Sequence, residues 1–203
     1  MKNLVSALVM LLLLAGVVVA AEKKEAAGKA DEGEIIFEEK FDDFSDDEET
    51  GFTMNENRPV DISIESKIVQ GKKAMRVQAR EGVDYSKSYN ILGVSKELSY
   101  TNDNAKFSFS YYAGPGIGGL EIMTKNETVN DNYGGSIAGL IKGKWAKATL
   151  RVKTFKPKDP KSPSSPKPGD AFKHMHIFGY VASGSDVKDQ WLIIDDIKLV
   201  VDK

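Results

Sequence analysis

Apolar and polar residues alternate in several short stretches of this chain. Residues 60–65 read VDISIE, residues 106–111 read KFSFSY, and in residues 147–153, KATLRVK, every second position is apolar. Successive side chains of a β-strand point to opposite faces, so a period of two predicts strands with one buried face. No window of helical length carries a persuasive amphipathic stripe, and the pattern therefore predicts an all-β protein.

Ten stretches fit this description, and turn-forming residues separate them. The predicted strands are 35–42, 60–69, 73–80, 91–98, 105–113, 118–125, 136–142, 145–155, 172–181 and 190–201. Clusters of Gly, Asn, Asp and Pro, such as 102–104 and 114–116, lie between them and favour tight turns. Many short strands at this spacing predict an antiparallel β-sandwich or barrel over residues 35–203.

The N-terminus has a different pattern from the rest of the chain. Lys2 is followed by an almost wholly apolar run from Leu4 to Val19, which ends in small residues before a charged stretch. This order is typical of a signal peptide over residues 1–21, with cleavage after Ala21. The alternative is a retained transmembrane anchor, although the run is short of the roughly 20 residues that a span needs. Residues 22–34 hold only Ala and Gly besides charged residues, which predicts a disordered spacer.

Composition narrows the classes of function. The chain has 203 residues, 41% of them hydrophobic, a formal net charge of −2 and no cysteine. A near-balanced charge offers no basic field for nucleic acid, so we expect no nucleic-acid partner. The absence of cysteine excludes disulfides, thiol catalysis and cysteine zinc sites. Together with the signal peptide, these features predict a secreted or periplasmic protein without stable membrane insertion after cleavage.

A proline-rich segment interrupts the strand pattern. Residues 156–169 read KPKDPKSPSSPKPG and hold five of the seven prolines of the chain. Proline cannot donate to a β-ladder, so the segment is expected to stay out of any sheet interior. An interdomain linker is one interpretation, but the 34 residues that follow are too few for a second sandwich. We therefore expect a long surface loop between two strands, either functional or a solvated insertion.

Three short motifs carry a resemblance to a known class of fold. The last predicted strand reads WLIIDDIKLV from Trp191, residues 143–145 read GKW, and the first strand reads IIFEEKFDD from Ile35. These resemble the closing strand, a strand entry and the opening strand of galactose-binding-like jelly-roll sandwiches, which include many carbohydrate-binding modules. The resemblance implies an antiparallel jelly-roll β-sandwich with a polysaccharide or other glycan as its partner.

The paired aspartates of the last strand raise the question of a metal. Period-two alternation places Asp195 on the same inward face as Ile197, and a lone buried carboxylate is costly unless it is compensated. A hard cation with oxygen ligands would compensate it. The resemblance implies a structural calcium between the first and last strands, with Glu39 or Glu38 as the partner of Asp195. The alternative places Asp195 at the sheet rim, accepting backbone hydrogen bonds without metal.

The strand 172–181 carries the candidate ligand face. Met175, Ile177 and Val181 form the expected core face, and the opposite face alternates aromatic and imidazole rings: Phe172, His174, His176, Phe178 and Tyr180. Rings of this kind stack on sugars while polar groups bond the hydroxyls. If the preceding strand lies alongside, Arg151 would add positive charge to the face. The alternatives are a transition-metal site at the His-x-His pair, ordinary surface packing, or sugar platforms on loop tyrosines at 85, 89 and 133.

Sequence evidence for catalysis is weak. A glycosidase needs two positioned carboxylates, and the nearest stretch, EIMTKNE at 121–127, lacks the Glu-x-Asp-x-x-Glu spacing of sandwich-fold glycanases. The acidic cluster at 42–49 falls in a predicted loop, and no Gly-x-Ser-x-Gly elbow is present. We therefore predict a non-catalytic carbohydrate-binding protein. A structural or protein-interaction sandwich of the bacterial envelope is the alternative, and a glycan-active hydrolase is the third.

Overall fold

The computed structural model describes residues 33–44, 50–54, 60–69, 72–83, 91–101 and 104–202. Within them lie twelve strands: β1 (Glu34–Glu39), β2 (Thr53–Met54), β3 (Val60–Val69), β4 (Lys72–Ala79), β5 (Ile91–Tyr100), β6 (Ala105–Ala113), β7 (Ile117–Asn126), β8 (Asp131–Ser136), β9 (Trp145–Arg151), β10 (Lys156–Pro157), β11 (Phe172–Val181) and β12 (Trp191–Val201). The predicted signal peptide, nearly all of the predicted spacer, Tyr85 and Tyr89 lie outside the described residues. In the described part, no helix is long and apolar enough to cross a membrane.

The strands form two antiparallel sheets. Sheet 1 has the order β3-β4-β12-β6-β9, with β1 also paired to β12, and sheet 2 has the order β10-β8-β7-β11-β5-β2. Every strand pair is antiparallel, and the chain crosses between the sheets from β4 to β5, from β5 to β6 and again from β6 to β7. The predicted jelly-roll β-sandwich is confirmed.

Strict alternation fills the space between the sheets. In β6, Phe107, Phe109 and Tyr111 are at most 2% exposed, whereas the serines between them are only half-buried. Across the core, the Tyr100 ring of β5 packs edge-on against the Phe107 ring of β6, with ring centroids 6.0 Å apart. Truncating a buried aromatic of this kind costs about 3–5 kcal/mol, so this interior dominates the stability of the domain.

One predicted strand is misplaced. The sequence predicted a strand over 136–142, but the structure has β8 at Asp131–Ser136, and the chain then turns through Gly139 and Gly143, both at positive φ. Within β8, the Phe155 ring packs directly on Gly135, where only glycine leaves enough space. A Cβ there would lie 2.5 Å from the Phe155 ring. The strand thus carries few of the apolar residues by which strands are recognised.

A bulge in β12 changes the face of its aspartates. Asp196 has φ of 50°, and the pairing with β6 shifts between Asp195 and Lys198. Ile194 faces the core before the bulge and Ile197 faces it afterwards. Asp195 pairs with the outward Ser110, so its predicted inward orientation is wrong, although its side chain is buried. An extra residue in one strand reverses the parity beyond it.

The proline-rich segment is attached to an edge of sheet 2. Its first residues, Lys156 and Pro157, form β10, an edge strand against β8, which is the place in a sheet that tolerates proline. Further along, the buried Tyr133 donates its hydroxyl to the Pro163 carbonyl at 2.8 Å, and the Asp159 N–H donates to Asp131 Oδ2 at 3.1 Å. The predicted surface loop is therefore held on the sandwich at several points.

Candidate functional site

The candidate ligand face lies at the centre of sheet 2. Strand β11 runs between β5 and β7, so its outward side chains have neighbouring strands on both sides. His176, Phe178 and Tyr180 alternate on this outer face, opposite the core residues Met175 and Ile177. The sequence prediction that these three residues share one face is confirmed.

A second bulge divides this strand. His174 has φ of 59°, and the pairing of β11 with β5 shifts between Lys173 and Met175. Phe172 consequently points into the core, where it is 1% exposed. The prediction that it shares the outer face with His176, Phe178 and Tyr180 is wrong. His174 stays beside the row, with its ring centroid 5.9 Å from that of His176.

Two rings of the row lie close to β5. The Phe178 ring packs against Gly93, where an added Cβ would lie 2.5 Å from Phe178 Cδ1. His176 Nδ1 and Ser95 Oγ share a hydrogen bond of 2.5 Å. The His176 and Phe178 rings are nearly parallel, with an angle of 12° between their planes and centroids 5.5 Å apart. Because Gly93 carries no side chain, the rings have space directly over the neighbouring strand.

The third ring is tied to a buried carboxylate on β7. Tyr180 donates its hydroxyl to Glu121 Oε2, and Lys158 of the proline-rich segment donates to Glu121 Oε1. The Glu121 side chain is only 4% exposed. Gly134 of the neighbouring strand β8 leaves room for it, since a Cβ at Gly134 would overlap Oε1 and stand 3.0 Å from Cδ. This network fixes one end of the aromatic row.

Sequence reasoning did not identify Glu121 or Lys158 as members of this site. The sequence analysis compared Glu121 only with a glycanase motif. Glu121 nevertheless stands at an outward position between the core residues Leu120 and Ile122. That parity is a signal that sequence reasoning can use. Lys158 offers no comparable signal, because only the tertiary structure shows where the proline-rich segment returns to the sheet.

The environment of His176 favours its neutral form. Burial lowers the pKa of His176 to about 4, and the nearby His174 contributes to the shift. At neutral pH the imidazole therefore has one hydrogen-bond donor and one acceptor, with Nδ1 already bonded to Ser95. A neutral ring can donate or accept a hydrogen bond at Nε2, which suits polar contact with a hydroxyl group.

Arg151 is not brought to this face. It lies on β9 opposite Lys106, and β9 belongs to sheet 1, whereas β11 belongs to sheet 2. The assumption that these strands lie side by side is wrong, because the chain crosses to the other sheet between them. Lys158 supplies the positive charge that Arg151 was expected to supply.

The three predicted calcium ligands already have hydrogen-bond or ion-pair partners. Glu39 Oε1 accepts the N–H groups of Lys40 and Phe41 at 3.0 and 3.1 Å, and Asp195 Oδ1 accepts the Asp196 N–H at 2.7 Å. Glu38 pairs with Lys198 at 2.7 Å, and that hydrogen bond lowers its pKa. Among the described residues, no three His, Cys, Asp or Glu side chains are arranged to hold a metal ion. The calcium site stays a prediction.

The other aromatic candidates are packing residues. Trp191 lies on the outer face of sheet 1, with Tyr112 stacked at 5.4 Å and the Arg76 guanidinium 5.1 Å from the ring centroid. Trp145 packs edge-on against Tyr112 at 5.9 Å. Both tryptophans thus pack against neighbouring side chains of sheet 1. Tyr133 is fully buried, so it is not a sugar platform.

Solved structures with a similar fold include several carbohydrate-binding modules. No protein-family model matches the sequence, and no curated protein matches it significantly. A family 11 carbohydrate-binding module from Clostridium thermocellum, in complex with a beta-1,3-1,4-mixed-linked tetrasaccharide, aligns with TM-score 0.52 and 18% identity over 80% of this chain and 95% of the module. A CBM22-2 xylan-binding domain from Paenibacillus barcinonensis aligns with TM-score 0.51 and 13% identity over 82% and 99%. At these identities, the similarity establishes the jelly-roll fold.

Proposed function

We propose that this protein binds a carbohydrate, a polysaccharide or envelope glycan, on the outer face of sheet 2. The observation that carries the proposal is the row of His176, Phe178 and Tyr180 on the central strand. This row is bordered by glycines and by the hydrogen-bonding groups of Ser95 and Glu121. Sites for sugars combine apolar ring surface with a few fixed polar groups, and this face offers both.

The glycines give the face its shape. Gly93 lies opposite Phe178, and Gly119 lies opposite Tyr180 on the other neighbouring strand. Each of these two rings therefore has no side chain beside it on one neighbouring strand, while Glu121 lies beside Phe178 and Ile91 lies beside Tyr180 on the other. A chain of sugar residues can therefore approach the row closely, stacking on the rings while its hydroxyls reach the polar groups.

Structural neighbours support this proposal through what they bind. The family 11 module was solved with a mixed-linked tetrasaccharide, and the family 22 domain is described as xylan-binding. Both share the sandwich, and in this chain the central strand of sheet 2 carries the aromatic row. The neighbours favour a glycan as the ligand without naming which one.

The same face supports binding without hydrolysis. A glycosidase uses two carboxyl groups on either side of the scissile bond. Glu121 is held by Tyr180 and Lys158, and the other carboxylate found on this outer face within the described residues, Glu97, lies 3.4 Å from Lys173. One structural neighbour, with TM-score 0.51, is part of an exo-beta-agarase, in which the matched region is 24% of that chain. We propose a binding protein that is secreted or periplasmic, where such glycans are found.

A glycan array with site variants tests the proposal. The purified protein is applied to neutral and acidic glycans, in parallel with His176→Ala, Tyr180→Ala and Tyr112→Ala. Tyr112 is the matched control, since it is also a half-buried tyrosine but lies on the outer face of sheet 1. We expect binding to a defined glycan that is lost in the first two variants and retained in the control. Binding to no glycan would refute the proposal and redirect attention to protein partners of the envelope.

The predicted structural calcium is tested in the same preparation. We propose that calcium, if it is held by Asp195 with Glu39 or Glu38, stabilises the first and last strands without taking part in ligand binding. A chelator should then lower the melting temperature and calcium should restore it. An unchanged melting temperature in chelator would show that the hydrogen bonds of these carboxylates suffice.

A further inference from the structure

One end of the outer face of sheet 2 has two lysines directly opposite each other. Lys125 of β7 pairs in register with Lys173 of β11, and Lys125 points outward because its neighbours Thr124 and Asn126 are fully buried. Like charges at directly opposed positions of a sheet are destabilising. An anionic ligand between the two ammonium groups would relieve this repulsion.

Neighbouring carboxylates neutralise this pair only partly. Lys173 lies 3.4 Å from Glu97, whose side chain is 74% exposed, so solvent screens that interaction strongly. Lys125 has no ion-pair partner among the residues that the structure describes. The ammonium group of Lys125 therefore remains available to an anion.

The proline-rich segment extends the positive charge along the sheet edge. Lys156 pairs with the outward Gly134 of β8, and Lys158 reaches Glu121 from the same edge. The Tyr133 hydroxyl holds the backbone at Pro163, so these lysines extend from a fixed edge. Side chains on a fixed backbone lose less conformational freedom on binding than side chains on a mobile loop.

The outer face of sheet 2 is positively charged, whereas the whole chain is weakly acidic. Its four described lysines, at positions 125, 156, 158 and 173, face two carboxylates, Glu97 and Glu121, while the whole chain has a net charge of −2. In the adjacent turns, two further lysines, Lys161 and Lys167, are balanced by Glu127 and Asp159. Two more carboxylates, Asp131 and Asp170, accept backbone N–H groups there, so the positive excess is confined to the outward side chains. A local positive charge on a weakly acidic protein favours an anionic ligand at this place.

We propose that Lys125 and Lys173, with Lys156 at the sheet edge, bind the carboxylate or sulfate groups of an acidic polysaccharide. This inference rests on the proposed function and specifies its ligand class. Lys173 and His176 are three residues apart on β11, with the bulge at His174 between them, so they are separated by at most about 10 Å along the strand. An oligosaccharide lying along β11 can thus stack on the aromatic row and place an acidic group between the lysines.

Matched pairs of polymers provide the test. Binding is measured by affinity electrophoresis and calorimetry to polygalacturonate and its fully methyl-esterified form, and to dextran sulfate and dextran. Each pair keeps the backbone and differs in charge, and the two pairs distinguish carboxylate from sulfate recognition. The variants are Lys125→Gln with Lys173→Gln, and the control is Lys147→Gln, an exposed lysine on the outer face of sheet 1.

We expect one charged polymer to bind at least about tenfold more tightly than its neutral partner, because charge-assisted hydrogen bonds are the stronger ones. The double variant should lose at least that factor, the control should lose none, and added salt should weaken binding. Equal affinity for charged and neutral partners, or charged-polymer binding unchanged in the double variant, would overturn the inference. The proposed function would still stand if the array shows binding to a neutral glycan, and would fall only if no glycan binds.

Discussion

Gly134 is the position where one added methyl group tests the Glu121 network most directly. A Cβ at Gly134 would overlap Glu121 Oε1 and come within 3.0 Å of Cδ and 3.3 Å of Lys158 Cε. Glu121 cannot swing away freely, because Tyr180 and Lys158 hold its two oxygens and its side chain is 4% exposed. The Gly134→Ala variant must therefore displace the carboxylate.

The expected cost follows from this geometry. Forcing extra volume into a packed site costs about 1–3 kcal/mol, and each hydrogen bond to a charged group contributes about 1.5–3 kcal/mol. Replacing glycine by alanine in a strand returns roughly 0.5–1 kcal/mol of backbone entropy. We expect Gly134→Ala to lower the free energy of unfolding by about 2 kcal/mol. Gly118→Ala, whose Cβ would meet its nearest atom at 3.5 Å, should not lower it and should gain the roughly 0.5–1 kcal/mol of backbone entropy.

A double-mutant cycle with Glu121→Ala identifies the cause. Once the carboxylate is gone, the methyl group at position 134 has space, so Gly134→Ala should stabilise that background by roughly 0.5–1 kcal/mol. The coupling energy, about 2.5–3 kcal/mol, is measured by urea denaturation of the four proteins. Equal costs of Gly134→Ala in both backgrounds would refute the reasoning, because the clash would then not involve Glu121.

Three further predictions concern pH, the proline-rich segment and sheet 1. His176 has a folded-state pKa of about 4, below its unfolded value of 6.5, so the unfolded state takes up the proton first. Stability should therefore fall from pH 6.5 to pH 4 by roughly 3 kcal/mol at most, and His176→Asn should remove this part of the pH dependence in denaturation curves. Tyr133→Phe should cost about 1 kcal/mol and speed trypsin cleavage after Lys161, because it frees the Pro163 carbonyl; an unchanged cleavage rate would contradict this. Trp191→Ala should lower the free energy of unfolding by about 2 kcal/mol and leave glycan affinity unchanged, since it lies on the other sheet; a loss of affinity would place the ligand elsewhere.

Alternation along the chain was sufficient to predict most strands and the outer row of β11. The same reasoning failed where one residue is inserted into a strand. The bulges at His174 and Asp196 reverse the parity, so Phe172 lies in the core and Asp195 lies on the outer face. Both residues occupy φ values above zero that no local sequence signal marks, since the backbone accommodates them through pairing with neighbouring strands.

The site required information that a sequence does not contain. Sequence neighbours are not sheet neighbours in this fold, and Arg151 therefore lies on the sheet opposite to β11. Conversely, Lys158 and Glu121 are 37 positions apart in the chain, and they meet because β10 pairs with β8 at the edge of sheet 2. Glycines at 93 and 134 shape the face, but a glycine in a strand gives no indication of the side chain that packs over it.

Chemical-shift mapping by NMR shows directly which face of the sandwich binds the glycan. The purified protein, with its backbone assigned, is titrated with an oligosaccharide of the glycan that binds on the array. We expect shifts centred on His176, Phe178 and Tyr180, spreading to Ser95 and to the strand that carries Glu121. Shifts centred instead on the outer face of sheet 1, around Trp145 and Trp191, would contradict it.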